Sequence, residues 1–308
     1  GTQSLLMHKT PGDGTTGAGL YNRVLGGGNG YTQLYARMYV KIAADADWIH
    51  HFGTNLGGLN PPSPWPIVNA GSRTDGDVSF WTGIEPYGDS WRWDFYTYWM
   101  EMRSFENPDG TGSSAWGNAF LRDTADGSWA PIGPTVRRGE WVSMELMVKV
   151  NAIGETDGEQ AFWIDGQLVR DGGQIISHLG PGFPNGTWLR DKWSPDPGGA
   201  PFEGYRWRSA ADLLVNYVWL YVYTEEDTFD ISAWYDDVVV ATSYIGPLYS
   251  GPAMPRPDGG VVPDAGGPDS AVGWDDVGPG IDAGSRRDGG GRDGGGGAGE
   301  DGGCCSTA

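Results

Sequence analysis

Residues Tyr31–Ile42, YTQLYARMYVKI, divide at every second position into two unlike sets. Thr32, Leu34, Ala36, Met38, Val40 and Ile42 form one; Tyr31, Gln33, Tyr35, Arg37, Tyr39 and Lys41 form the other. Successive side chains of a strand point to opposite faces of its sheet, so the stretch reads as a strand with one apolar face and one aromatic, amide and cationic face. The apolar face asks for a core. The polar face is either solvated or turned toward a ligand, and alternation alone allows both.

Working outward, the same extended character recurs in GDVSFWTGI (76–84), WRWDFYTYWMEMR (91–103), EWVSMELMVKV (140–150), EQAFWIDGQLV (159–169), DLLVNYVWLYVYT (212–224) and SAWYDDVVVATSYI (232–245). Turn residues separate these segments, and the pairs Asp157–Gly158 and Asp165–Gly166 bracket a hairpin around Glu159–Ile164. No long helical period and no internal repeat interrupts them. Numerous short amphipathic strands with Gly between them predict an all-β fold of two packed sheets.

Composition narrows the function. The 308 residues include 16 Trp, 14 Tyr and 9 Phe, and the 40 Asp and Glu outnumber the 20 Lys and Arg, for a formal charge of -20. The balance argues against nucleic acid as a partner, because phosphate binding rests on clustered Lys and Arg, but not against every anion. An anionic ligand in a locally basic site stays open, since net charge governs solubility more than site chemistry. No stretch approaches the ~20 apolar residues of a membrane-crossing helix. The chain opens at Gly1 without an initiator Met, which reads as a processed form or a fragment. Its only cysteines, Cys304 and Cys305, leave the folded part without thiol chemistry.

A boundary is expected near residue 250. Residues 251–308 contain 19 Gly, with Pro and Asp making up much of the rest. Such a segment cannot bury enough apolar surface to offset its ordering entropy, so it reads as a disordered spacer. Its terminal GGCC resembles the Cys-bearing sorting tails of some bacterial surface proteins, without the hydrophobic span and basic residues that follow there.

Three stretches carry a wider resemblance. EWVSMELMVKVNAIGETDGEQAFWIDGQLVRD (Glu140–Asp171) is similar to the paired strands and W-x-D-G turn of concanavalin A-like jelly rolls. WYDDVVVATSYIG (Trp234–Gly246) resembles their closing strand, and with ARMYVKI the likeness is nearest to the polysaccharide-lyase-like branch, which includes alginate and glucuronan lyases. The resemblance spans most of residues 31–247. It implies a concanavalin A-like β-sandwich of two antiparallel sheets over residues 1–250, followed by the disordered tail. It also implies an open groove for a glycan chain, with Gln33, Tyr35, Arg37, Tyr39 and Lys41 facing it.

A lyase of this kind cleaves a uronic-acid polymer by β-elimination. A cation or amide neutralises the carboxylate, a base takes the C5 proton, and an acid protonates the leaving oxygen. In the resembled family Tyr often serves as base or acid. A free Tyr has a pKa of about 10, so it needs positive charge nearby to ionise near neutrality. In WRWDFYTYWMEMRS the set Trp91, Trp93, Phe95, Thr97, Trp99 is the better core face, which puts Tyr96 and Tyr98 beside Arg92. Tyr98 is expected as the catalytic tyrosine, with His50 and Arg37 beside it. DWIHHFGTNLGG (Asp47–Gly58) supplies His50 and His51 ahead of a Gly-rich loop and loosely resembles the Q-I-H motif of alginate lyases, with Trp48 in place of its Gln. The two histidines, being adjacent, are expected to point to opposite faces of a strand. Gln33, Tyr35, Tyr39, Lys41, Arg92, Tyr96 and Asn216 are expected to bind substrate, and Arg206 or Arg208 offers a further guanidinium for carboxylates.

Other chemistries are less well served. A glycoside hydrolase needs paired carboxylates; ETDGE at Glu155–Glu159 contains a turn, and Glu101 and Glu145 have no partner by sequence. No cofactor and no catalytic metal is expected. DDVVV at Asp236–Val240 reads as a charge pair at a strand end, with a structural Ca²⁺ as the lesser alternative. A lyase is the first reading and a non-catalytic glycan-binding or structural surface module the alternative, since Trp faces stack on sugars in either case. The expected partner is a uronic-acid polysaccharide, and the expected state is a monomer, secreted or tethered to the cell surface.

Overall fold

The computed structural model describes residues 3–248 other than 67–69, 88–89, 105–114, 123–129, 182–187, 190–195 and 197. The spacer and sorting tail expected over 251–308 lie outside the described residues. The described chain is all-β, and no helix in it is long and apolar enough to cross a membrane.

Two antiparallel sheets form a jelly-roll β-sandwich. The larger runs β1 (Leu5–Lys9), β14 (Ile231–Ala241), β3 (Gln33–Ile42), β7 (Val142–Lys149), β8 (Glu159–Ile164) and β12 (His178–Leu179), with β9 (Gln167–Leu168) paired to β8. The smaller runs β2 (Gly17–Arg23), β13 (Tyr217–Tyr223), β4 (His51–Leu59), β5 (Ser79–Tyr87) and β6 (Arg92–Tyr98). A short ladder of β10 (Arg170–Asp171) and β11 (Gln174–Ile175) stands apart. Asp165 and Gly166, both at positive φ, make the tight turn between β8 and β9 that their identities predict.

Alternation builds the core as the sequence implies. Leu34, Ala36, Met38, Val40 and Ile42 of β3 are buried against Phe52 and Leu56 of β4, Phe80 and Ile84 of β5, Trp93 and Phe95 of β6 and Leu220 of β13. Phe52 stacks on Tyr235 across the sheets at 5.4 Å, and Phe95 meets Phe162 edge-on at 4.9 Å. A buried polar chain joins the sheets. Thr82 Oγ1 lies 2.8 Å from Thr97 Oγ1 and donates to Gln160 Oε1 at 2.6 Å, while Gln160 Nε2 donates to the Tyr205 hydroxyl at 2.5 Å.

The first sequence stretch is placed differently from expectation. Its apolar face meets the other sheet, so its polar face is the outer face of the seven-stranded sheet. Residues Thr242–Leu248 run over that face as a strap. Ile245 and Gly246 donate their backbone N–H groups to Glu145 at 2.8 Å each, and Leu248 N donates to the Tyr39 hydroxyl at 2.9 Å. Gln33 Nε2 donates to Thr242 O at 3.4 Å, and Tyr244 packs on Trp163. Arg37 and Glu145 face each other in the β3–β7 register and are buried beneath the strap.

Candidate functional site

The opposite outer face, on the five-stranded sheet, carries a different set of side chains. Inward residues Val218, Leu220 and Val222 of β13 leave Tyr217, Trp219, Tyr221 and Tyr223 facing out. In β5 the same logic turns Trp81 and Glu85 toward this face, in β6 Tyr96 and Tyr98, and in β4 His51, Gly53, Asn55 and Gly57, although most of them are covered by neighbouring side chains. The glycines of β4 read in sequence as a loop, yet they occupy a central strand. A Cβ at Gly53 would overlap the Tyr221 ring, and one at Gly57 would overlap Tyr217, so the missing side chains are the space into which these rings lie down. Trp219 then stacks on Tyr221 with centroids 4.2 Å apart.

A cleft of about 630 Å³ opens on this face, lined by His50, His51, Trp81, Tyr96, Tyr98, Trp116, Trp219, Tyr221, Tyr223 and Glu225, with backbone from Gly17 and Gly19. Both histidines reach it. Alternation between faces holds only inside a strand, and β4 begins at His51, so the bend at His50 turns its ring to the same side. The rings meet edge-on at 4.2 Å.

His51 Nδ1 lies 3.1 Å and 3.3 Å from the two carboxylate oxygens of Glu85. Glu85 is buried, which pushes its carboxyl above the usual range, and the His51 ring is the chief influence pulling it back. Its bond to Nδ1 fixes the imidazole so that Nε2, which has no hydrogen-bond partner among the described residues, is the free nitrogen. His50 Nε2 lies 3.3 Å from Glu225.

Tyr96 packs on His51 at 4.7 Å, and its hydroxyl lies 3.3 Å from that of Tyr98. Tyr98 is stacked on Trp81 at 4.7 Å and buried, which pushes its hydroxyl up to about 12; burial raises Tyr96 as well. Both are therefore proton-bearing hydroxyls over the ordinary pH range. Buried Asp94, on the same face of β6, accepts N–H groups from Phe95, Phe120 and Leu121 and so binds residues 115–122 against the strand. Gly117 of that segment lies directly on the Tyr96 ring.

Of the residues singled out in the sequence, Tyr96, Tyr98 and His50 come together in the cleft. Arg37, Gln33, Tyr35, Tyr39 and Lys41 do not: they belong to the outer face of the other sheet, on the far side of the sandwich. Lys41 there lies over Trp234 at 4.5 Å and Trp141 at 5.4 Å, and Tyr35 packs on Trp163. Arg92 shares the face of Tyr96 but donates to Gly133 O at 3.1 Å. Asn216 is a buried pin ahead of β13: its Oδ1 accepts from Leu59 N, and its Nδ2 donates to Leu59 O and Asn29 O. Arg206 pairs with Glu101, while Arg208 donates to the carbonyls of Asn151, Ala211 and Leu213. Glu145 lies under the strap, so neither Glu101 nor Glu145 reaches the cleft as a paired carboxylate. Asp236 and Asp237 sit at a β-bulge in β14, and among the described residues no group of three or more His, Cys, Asp or Glu gathers to hold a metal ion. Sequence reasoning missed His51 as the better-placed histidine, along with Glu85 and the β13 rings. The alternation in YVWLYVY was the signal for the last.

No family profile matches the sequence, and no curated protein matches it. Solved structures do. A marine alginate lyase from Aplysia kurodai superposes with a TM-score of 0.50 at 14% identity, covering 78% of this chain and 83% of that one. An endo-β-1,4-glucuronan lyase from the fungus Trichoderma reesei gives 0.41 at 16% identity, covering 79% and 82%. An alginate lyase from Chlorella virus gives 0.42 at 11%, covering 77% and 89%. At these identities the likeness is one of fold.

Proposed function

We propose that this chain is a polysaccharide lyase that cleaves a hexuronate polymer by β-elimination in the cleft on its five-stranded sheet. The observation that carries the reading is the His51–Glu85 pair set against the hydroxyls of Tyr96 and Tyr98. With Nδ1 held by Glu85, Nε2 of His51 takes the proton from C5. The C4–O4 bond breaks as the C4=C5 double bond forms, and a tyrosine hydroxyl protonates the departing O4. A buried tyrosine with a raised pKa suits the acid's part and not the base's, which divides the two roles between ring and hydroxyl. Trp81 and the Trp219–Tyr221 stack supply flat apolar faces for pyranose rings. The sandwich shared with the alginate lyase from Aplysia kurodai supports the same reading. Secretion, with the Gly/Pro/Asp-rich residues 251–308 as a spacer to a surface, completes it.

The test is incubation with alginate, polygalacturonate and glucuronan, each also as its methyl ester, while following the ultraviolet absorbance of the conjugated unsaturated uronosyl end. Absorbance that rises with the native chain and is lost in His51→Ala supports elimination. Glycan retained on affinity gels with no unsaturated product from any polymer means instead a binding module. The density of rings in the cleft is the observation behind that second reading, since stacking on sugars needs no chemistry.

A further inference from the structure

The charges facing the cleft bear on which form of the carboxyl group it accepts. Removing the C5 proton of a free uronate puts a second negative charge beside the carboxylate, which a cation, a bound metal or, more weakly, an amide relieves. Among the described lining residues there is no Lys or Arg; Glu225, paired with His50, is the carboxylate of the lining, and Glu85 lies buried behind His51. The cations that sequence offered are committed elsewhere: Arg37 and Lys41 on the far sheet, Arg92 to Gly133, Arg206 to Glu101 and Arg208 to backbone carbonyls. Around these the cleft is walled by Trp81, Trp219 and tyrosine rings, and the whole chain carries a formal charge of -20. A polyanion is repelled by this field and finds no described cation within it.

Resting on the elimination reading above, we infer that the substrate is a hexuronan whose carboxyls are esterified. An ester carries no charge to be neutralised. When His51 Nε2 takes the C5 proton, the C–H electron pair moves into the ester carbonyl as an enolate. The enolate collapses to the C4=C5 double bond, C4–O4 breaks, and O4 receives the hydroxyl proton of the Tyr96–Tyr98 pair. No cation, oxidant or second substrate is required. The alkyl group of the ester lies against aromatic walls instead of water, which suits their apolar character.

The experiment compares initial rates on matched polymers: polygalacturonate, alginate and glucuronan, each as the free acid and as the methyl ester. The expected result is elimination at least about tenfold faster on the ester of the accepted backbone, because one like charge is removed from a partly buried site. Added salt leaves the ester rate nearly unchanged. Glu225→Lys, which places a cation at the cleft, narrows the ester-to-acid ratio. A free acid turned over as fast as its ester, or a ratio that does not move in a folded Glu225→Lys chain, overturns the ester preference and leaves elimination standing. No unsaturated product from either member of any pair overturns both.

Discussion

His51 Nδ1 and a carboxylate oxygen of Glu85 lie 3.1 Å apart on adjacent strands β4 and β5, and the carboxylate has almost no other exposure to water. The pair acts as a unit: the ring relieves a buried carboxylate, and the carboxylate orients the ring. In Glu85→Gln the amide presents either its oxygen or its nitrogen to Nδ1, and the imidazole loses its fixed orientation. Turnover is expected to fall by roughly two to four orders of magnitude. Thermal stability should hold or rise, because a desolvated charge has been removed. Unchanged turnover would show that the Glu85 carboxylate is not needed to orient the His51 ring.

The raised tyrosine predicts the alkaline side of the pH profile. Burial holds the Tyr98 hydroxyl near 12, so the proton donor persists well beyond neutrality. The rate should show no decline with a midpoint near 10, the ordinary tyrosine value. A midpoint there would mean that the donor is an exposed tyrosine elsewhere. Tyr98→Phe should cost about 10²-fold or more in kcat.

Gly53 tests whether the floor of the cleft depends on a missing side chain. Gly53→Ala sets a methyl into the Tyr221 ring, which must lift and disturb its stack with Trp219. The expected destabilisation is about 1–3 kcal/mol. Glycan affinity should weaken with it, since the stacking face moves. Denaturant unfolding and affinity electrophoresis measure the two effects.

Glu145, beneath the strap on the other sheet, makes stability depend on pH. Burial raises its carboxyl to about 7 against an ordinary 4.5, although the Ile245 and Gly246 N–H groups oppose the shift. The folded state therefore binds the proton more tightly than the unfolded one. This contribution is fully present below about 4.5 and is lost as pH rises through about 7. Relative to Glu145→Gln, the native chain should lose up to about 3 kcal/mol across that window. A difference between the two proteins that stays constant from pH 4 to 8 would refute the assignment.

Asn216 separates a structural amide from a substrate ligand. Asn216→Ala abandons Leu59 N, Leu59 O and Asn29 O, which are joined through the one side chain. We expect a loss of roughly 2–4 kcal/mol in unfolding free energy, at about 1 kcal/mol or slightly more for each bond. KM for any accepted polymer should be unchanged at temperatures where the variant is folded.

Much of this architecture was legible where alternation was strong. β3, β6, β7 and β14 fall where their two-residue periods predict, and the core face of β6 is the predicted set Trp93, Phe95, Thr97. What the periodicity cannot say is which sheet a strand joins. Tyr35, Arg37 and Lys41 look like ligand-binding residues by type, and only the pairing of β3 with β7 and β14 sends them to the side away from the cleft. β4 was hidden for another reason. Glycine is weak in an isolated strand, and its use here depends on rings contributed by β13, more than 150 residues further along the chain. Glu85 was equally silent, because its role comes entirely from a histidine on the neighbouring strand.

The buried chain of Thr82, Thr97, Gln160 and Tyr205 also acts on the cleft above it. If β6 slipped by one residue against β5, Thr97 would rotate to the outer face and tyrosine hydroxyls would turn inward. Gln160 and Thr82 would then be stranded without partners in the core, a loss of about 1–3 kcal/mol for each. The hydroxyls and amide inside the sandwich work as a key cut for one alignment only. A chain that has satisfied its core has, by the same act, aimed Tyr96 and Tyr98 at His51.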